Sequence, residues 1–218
     1  MRETLLTLLR CPACRGEGAL RVVPQQQDQI EIVSGVLECR QCNQTFAIRD
    51  GYCDLLHEAS TQVRSEQEAN ARIEARGQDD GTSWFPQDPV AQQATVAQLP
   101  HGYPEAEAHA PAVAHVLERL KAGQETRLLD LGAGLCWTSA MAARRGAQCI
   151  ATDVYVNALA CSRYYWPTGI FFERLLADMT ALPIVSGVMD VVLANAAVHH
   201  SGDLESTVRE AARVLKPG

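Results

Sequence analysis

The 218 residues are 47% hydrophobic and 21% charged, a balance that fits one or two globular domains and excludes a disordered or fibrous polymer. The net charge of −7 offers no broad basic surface to a phosphate polymer, which weighs against nucleic acid as the main partner. No apolar run nears the roughly 20 residues that cross a bilayer, and Met1 to Arg10 is too short for a secretion signal, so a cytoplasmic location without a membrane partner is expected.

Four of the eight cysteines form two tight pairs, Cys11-Pro12-Ala13-Cys14 and Cys39-Arg40-Gln41-Cys42. Each C-x-x-C turn places two thiolates at two corners of a tetrahedron, and two turns close a Zn²⁺ site. Four protein ligands leave no open position, so the metal is expected to be structural. Between the pairs, Ala19 to Val23 and Ile30 to Val33 read as strands joined by a polar turn, the layout of a zinc ribbon. A ribbon domain is therefore expected over 1–56, with the metal supplying about 10 kcal/mol of folding free energy. Cys53, Cys136, Cys149 and Cys161 sit in apolar or helical settings and read as core thiols.

Residues 57–110 read as an acidic connector or lid. Lys+Arg and Asp+Glu number 6 and 7 in residues 1–56, 5 and 11 in 57–126, and 8 and 8 in 127–218, so the acidity lies in the middle. Glu58 to Arg76 allows an exposed helix without a broad apolar stripe. Breakers follow at Gly77-Gln78-Asp79-Asp80-Gly81, then Trp84, Phe85 and Pro86, then Pro100 to Pro104, too irregular for one element. From Pro111, the i, i+3, i+4, i+7 spacing of Val113, Val116, Leu117 and Leu120 predicts an amphipathic helix ending near Gly123.

The remainder, 111–218 in the domain division, alternates strand-like and helical runs. Arg127 to Leu131 is a short buried strand that enters a turn at Gly132-Ala133-Gly134, followed by a helical run from Thr138 to Arg145. Glycines let the backbone approach a ligand, and Asp130 supplies a carboxylate at the strand end. A dinucleotide fingerprint needs glycine where Trp137 stands, so NAD is disfavoured. A second strand ends at Asp153, about 20 residues past the turn, where a carboxylate reaches ribose hydroxyls. A third carries Leu175 to Met179 with Asp178, and a fourth runs from Met189 to Asn195. Strand and helix repeated in this way predict a parallel, doubly wound α/β sheet with its site at the strand carboxyl ends.

Two resemblances follow from these residues. Leu9 to Cys14, Leu37 to Cys42, Phe46 to Gly51 and Leu55-Leu56 resemble the small zinc-ribbon activator of RNA and translation-factor methyltransferases. In that family the ribbon stabilises a separate methyltransferase subunit, partly by adding a strand to its sheet, which implies a fused version acting in cis. Residues 111–218 resemble the class I S-adenosylmethionine-dependent methyltransferases in the family's motif order. The implied fold is a Rossmann-like methyltransferase sheet behind a β-rich zinc ribbon. The implied cofactor is S-adenosylmethionine: Asp130 and Gly132, Ala133 and Gly134 on its methionine part, Asp153 on the ribose, Asp178 and Met179 beside adenine, and Asn195 near the sulfonium. Cys136 stands where the family often has a third glycine, and the family's later strands are missing after the fourth strand and its helix, so the fourth strand is expected as an open edge, either because the chain is a truncated piece or because a protein partner or a second copy covers it.

Methyl transfer is an in-line displacement in which the protein mainly aligns the reactants. His199 and His200, beyond the fourth strand, are the candidate bases. Trp84, Phe85, Tyr103, Tyr155, Tyr164, Tyr165 and Trp166 are aromatic candidates for stacking a planar substrate or covering the cofactor, most of them expected as core or lid packing. The first function expected is methyl transfer to a small-molecule acceptor. Methylation of ribosomal or transfer RNA comes second, and a non-catalytic ribbon scaffold that docks a partner comes third. Asn195-Ala196-Ala197-Val198 lacks the Pro-Pro-Tyr run of base aminomethylases, which disfavours that chemistry.

Overall fold

Residues on successive positions of a strand face opposite sides, so a run that is apolar at every position needs cover on both faces. Leu128 and Leu129 are such neighbours on one strand, packed in the cores on opposite faces, and with Leu131 they are at most 1% exposed. In the computed structural model, which describes residues 1–80 and 88–218 apart from the side chains of 76–80 and Cys161, that strand lies within one sheet of eight. The antiparallel strands are β1 (Leu20–Gln27), β2 (Ile32–Cys39), β3 (Thr45–Arg49) and β4 (Tyr52–Asp54). The parallel ones are β5 (Arg127–Leu131), β6 (Gln148–Asp153), β7 (Glu173–Leu176) and β8 (Val191–Leu193).

Their spatial order is β1-β2-β3-β4-β7-β6-β5-β8. The chain order reverses at β5, between β6 and β8, the switch point at which doubly wound sheets open a crevice beyond their carboxyl ends. The ribbon joins by backbone pairing, because β4 runs parallel to β7 with Cys53 opposite Leu175 and Asp54 opposite Leu176. Leu55 N–H extends the ladder to Leu176 O at 2.9 Å.

Six helices accompany the sheet among the described residues: α1 (Thr61–Asp80), α2 (Pro89–Gln98), α3 (Pro104–Arg119), α4 (Trp137–Ala143), α5 (Val156–Cys161) and α6 (Leu204–Val214). One core packs Val96, Leu99, Val113, Leu117, Tyr165 and Phe172 against one sheet face. The second packs Met1, Leu5, Leu9, Leu182, Ile184 and Val214 against the other. The ribbon thus covers part of the second face as well as extending the edge. Arg10 ties this side to α6 through Glu210 at 2.9 Å and to Leu182 O at 3.1 Å.

Several elements differ from the sequence expectation. Gly77 to Asp80 do not break α1, whose hydrogen-bonded run continues through Asp80, while Gly81, Trp84 and Phe85 lie outside the described residues. The connector holds a helix, α2, capped by Asp88, whose side chain accepts from Ala91 N–H at 2.8 Å. α3 starts at Pro104 rather than Pro111, since proline suits the first helical turn, and Pro111 sits inside it. Its buried face is Ala106, Val113 and Leu117, while Val116 and Leu120 are exposed. The fourth strand is shorter than expected, ending at Leu193, and β8 pairs with β5 alone among the described residues. Cys53, Cys136 and Cys149 are buried as expected.

Candidate functional site

The turn after β5 carries three left-handed residues in alternation, Gly132 (φ 65°), Gly134 (φ 50°) and Cys136 (φ 58°). A Cβ at Gly132 would stand 2.5 Å from the Ala197 Cβ, so the loop after β8 packs directly on the turn. At Gly134 no atom lies within 4 Å of that position, and the backbone is open to a ligand. Cys136 holds a conformation that favours glycine, which accounts for the third glycine of the resembled motif. Its thiol is buried, and burial pushes its pKa well above the ordinary range, so it stays protonated.

Asp153 closes the turn from β6. Its Oδ2 accepts from Gly134 N–H and its Oδ1 from Tyr155 N–H, both at 2.7 Å. Burial raises its pKa against these amides. Val154 N–H also faces the carboxylate, and three amides leave it acceptor capacity for a hydroxyl. Asp130 lies deeper than the motif implies. It is 1% exposed, its Oδ2 accepts from Ser139 Oγ at 2.8 Å, and it lines neither cavity of the site. Burial lifts its pKa to about 7. Asp130 therefore holds the start of α4 from beneath the turn.

Two cavities meet at Gly132, Gly134 and Ala196. The first, about 220 Å³, is lined by Asp153, Asp178, Met179 and His200. The second, about 130 Å³, is lined by Ala133, Trp137, Thr138 and Asn195. Asp178 is fixed by accepting from Thr180 N–H at 2.8 Å and Thr180 Oγ1 at 2.7 Å. Ala196 is left-handed (φ 51°), a conformation uncommon for alanine that turns the chain sharply between the cavities. Of the two candidate bases only His200 reaches the wall. His199 stacks beside it, ring centroids 4.0 Å apart.

Sequence reasoning singled out Tyr103 of the connector and missed the rest of the opposite wall. Gln62, Val63, Glu66 and Asn70 of α1 line the first cavity, and Tyr103 and Glu105, at the start of α3, line the second. Gln62, Glu66, Asn70 and Glu74 recur every four residues, one polar face of a helix, and that spacing was the available signal. The helix is strapped across the crevice by Gln67 to Val154 O (3.1 Å), by Gln62 to His200 O (3.4 Å), and by Glu74 with Tyr155 and Asn157. Val63 is the one residue of its described part counted in the buried core.

At the far end of the sheet the Sγ atoms of Cys11, Cys14, Cys39 and Cys42 all lie within 4.8 Å of one another. Cys11 to Cys42 and Cys14 to Cys39 are each 3.7 Å apart, close to the roughly 3.8 Å edge of a tetrahedron with 2.3 Å Zn–S bonds. Both turns close in the same way, with Arg15 N–H on Cys11 O and Asn43 N–H on Cys39 O, and both Arg15 and Asn43 are left-handed. The donor set fits a tetrahedral metal.

Comparison with known proteins agrees with this geometry. Residues 129–218 match the family model described as a methyltransferase domain, and residues 2–51 match that of the Trm112p-like proteins. Each match covers less than half of the chain, and over those residues the chain is similar to the two families. A malonyl-[acyl-carrier protein] O-methyltransferase of Enterobacter lignolyticus is 30% identical over 134 residues, 60% of this chain and 52% of its own length. A demethylmenaquinone methyltransferase of Mycolicibacterium vanbaalenii is 32% identical over 101 residues, 46% of this chain and 42% of its own. The chain spans 18% to 42% of the length of the first four curated relatives it matches. A solved protein from Methanococcus maripaludis, described as a candidate S-adenosyl-L-methionine-dependent methyltransferase, shares the fold, with a TM-score of 0.50, 16% identity and 60% of each chain covered. No helix among the described residues is long and apolar enough to cross a membrane.

Proposed function

We propose that this chain is an S-adenosylmethionine-dependent methyltransferase of a small-molecule acceptor, with a structural zinc ribbon fused in cis. The observation that carries the reading is the charge of the joined cavities. Glu66, Asp153 and Asp178 line one, Glu105 lines the other, and no Lys or Arg lines either among the described residues. Such a wall suits a cationic sulfonium donor and repels a phosphate polymer.

A bound sulfonium donor supplies an electrophilic methyl carbon. Asp153 accepts from the ribose hydroxyls with its remaining acceptor capacity, Asp178 and Met179 flank adenine, Asn195 and Ala196 form the floor, and the open backbone at Gly134 receives the methionine end. Asp130 acts through the turn it supports. Cys11, Cys14, Cys39 and Cys42 hold Zn²⁺, and four thiolates leave it no open position for chemistry. In this reading 1–56 is the ribbon, 57–110 covers the crevice and 111–218 transfers the methyl group. Two relatives named for menaquinone and for carrier-bound malonyl support an acceptor other than RNA.

The test is to incubate the zinc-loaded chain and methyl-tritiated S-adenosylmethionine with a bacterial metabolite extract and, separately, with bacterial total RNA. Label in the small-molecule fraction is expected. Label in RNA alone overturns the acceptor class.

A further inference from the structure

On one side of the first cavity α1 presents Glu66, and on the other the turn after β8 presents His200. Glu66 Oε2 stands 3.2 Å from His200 Nδ1. The other carboxylate oxygen, Oε1, accepts from Gln62 Nε2 at 3.0 Å, and the same amide donates to the His200 carbonyl at 3.4 Å. One helical turn therefore fixes both the imidazole and the backbone that carries it. The Glu66 and His200 side chains are 24% and 52% exposed, so an ion pair between them adds little to stability. What it does bias is the tautomer, because a carboxylate close to one ring nitrogen favours the form that carries the proton there.

We propose that Glu66 is a positioning residue that holds His200 as the Nδ1–H tautomer, leaving Nε2 as the base that takes a proton from the methyl acceptor; the proposal rests on the methyl-transfer reading above. An O–H or N–H bond of the acceptor breaks as an Nε2–H bond forms. The lone pair released on oxygen or nitrogen makes the bond to the methyl carbon, and the carbon–sulfur pair returns to sulfur. Sulfonium and neutral acceptor thereby become thioether, methylated acceptor and an imidazolium beside Glu66, which passes its proton to water. The acceptor class that needs this device carries a proton on its nucleophile at neutral pH, as a hydroxyl, phenol or amine does. An ionised carboxylate does not need it. The charged and titratable groups that face His200 are Glu66 from α1, Asp153 from the end of β6 and His199 beside it.

The test reads the tautomer directly, through long-range ¹H–¹⁵N correlation spectra of the full zinc-loaded chain labelled in histidine, at a pH where the imidazole is neutral. His200→Ala assigns the signal. The wild type is expected as Nδ1–H, Glu66→Gln keeps that form because its amide oxygen still accepts, and Glu66→Ala loses it. Incorporation of label from the metabolite extract should fall about a hundredfold in His200→Ala. It should fall at least tenfold in Glu66→Ala and recover in part in Glu66→Gln. A wild-type Nε2–H form, or a Glu66→Ala spectrum identical to wild type, overturns the proposal. The tautomer is read without turnover, so failure of the methyl-transfer reading leaves this result separately legible.

Discussion

Chelation of the zinc-loaded chain, or Cys39→Ser, is expected to unfold residues 1–56 and to loosen the strand that leads to Asp178 and Met179 on the cavity wall. A ribbon of this size buries too little apolar surface to fold alone, and a tetrathiolate metal contributes on the order of 10 kcal/mol. The consequence does not stop at the ribbon. β4 is the outer neighbour of β7, and β7 leads directly into Ala177, Asp178 and Met179 on the cavity wall. Hydrogen exchange followed by mass spectrometry checks this. Protection should fall through β1 to β4 and over 173–177, while β5 and β6 at the centre keep theirs. Ribbon amides that stay protected in metal-free protein would show that the metal is dispensable for the fold.

Glu31→Ala is expected to cost about 3–5 kcal/mol, because it strands a buried guanidinium. Arg174 is 0% exposed, and its Nη2 donates to both Glu31 oxygens at 2.7 and 2.9 Å. Its Nη1 donates to Leu159 O at 2.8 Å, and its Nε has no partner. Trp166 Nε1 donates to Glu31 at 2.8 Å, and the Met1 ammonium lies 3.0 Å from the same carboxylate. The pair crosses the seam, one charge from the ribbon and the other from β7. Burial pushes the Glu31 pKa up, but Arg174 and the ammonium outweigh it and the net shift is downward. A carboxyl with a depressed folded pKa stabilises above its unfolded value of about 4.3 and loses that contribution as pH falls through the folded one. Urea unfolding should therefore show the full loss at neutral pH and a flatter acid limb in the variant. Pairing Glu31→Ala with Arg174→Met should recover part of the stability, since one of the two stranded charges is gone and the Met1 ammonium keeps only Ile32 O and Gly51 O. No recovery would mean that the cost lies in packing instead.

What was legible in the sequence was local chemistry. The cysteine turns, the glycine turn after a buried strand and the acid closing the second strand are each dictated by what a few consecutive residues must do. Cys136 was visible as a departure from glycine, and its left-handed backbone gives that departure a physical meaning. The seam was legible only through the resemblance, which implied that the ribbon adds a strand to the sheet; which strands pair, β4 on β7, joins residues far apart in the chain and has no local signal. Nothing next to Arg174 in the sequence marks Glu31 as its partner, 143 residues away. The far wall was hidden for a different reason. α1 was judged by its lack of an apolar stripe, whereas its contact with the site is polar and recurs every four residues through Gln62, Glu66, Asn70 and Glu74. α2 is weakly amphipathic, with Val96 as its buried contact, so no strong period marked it.

The most direct measurement is calorimetric titration of the zinc-loaded chain with S-adenosylhomocysteine, beside an Asp153→Ala variant whose fold is checked by circular dichroism. Micromolar binding in the wild type, lost in the variant, is the expected result. A folded, zinc-containing wild type that binds nothing would contradict the assignment of the joined cavities as a cofactor site, and with it the methyl-transfer reading of this chain.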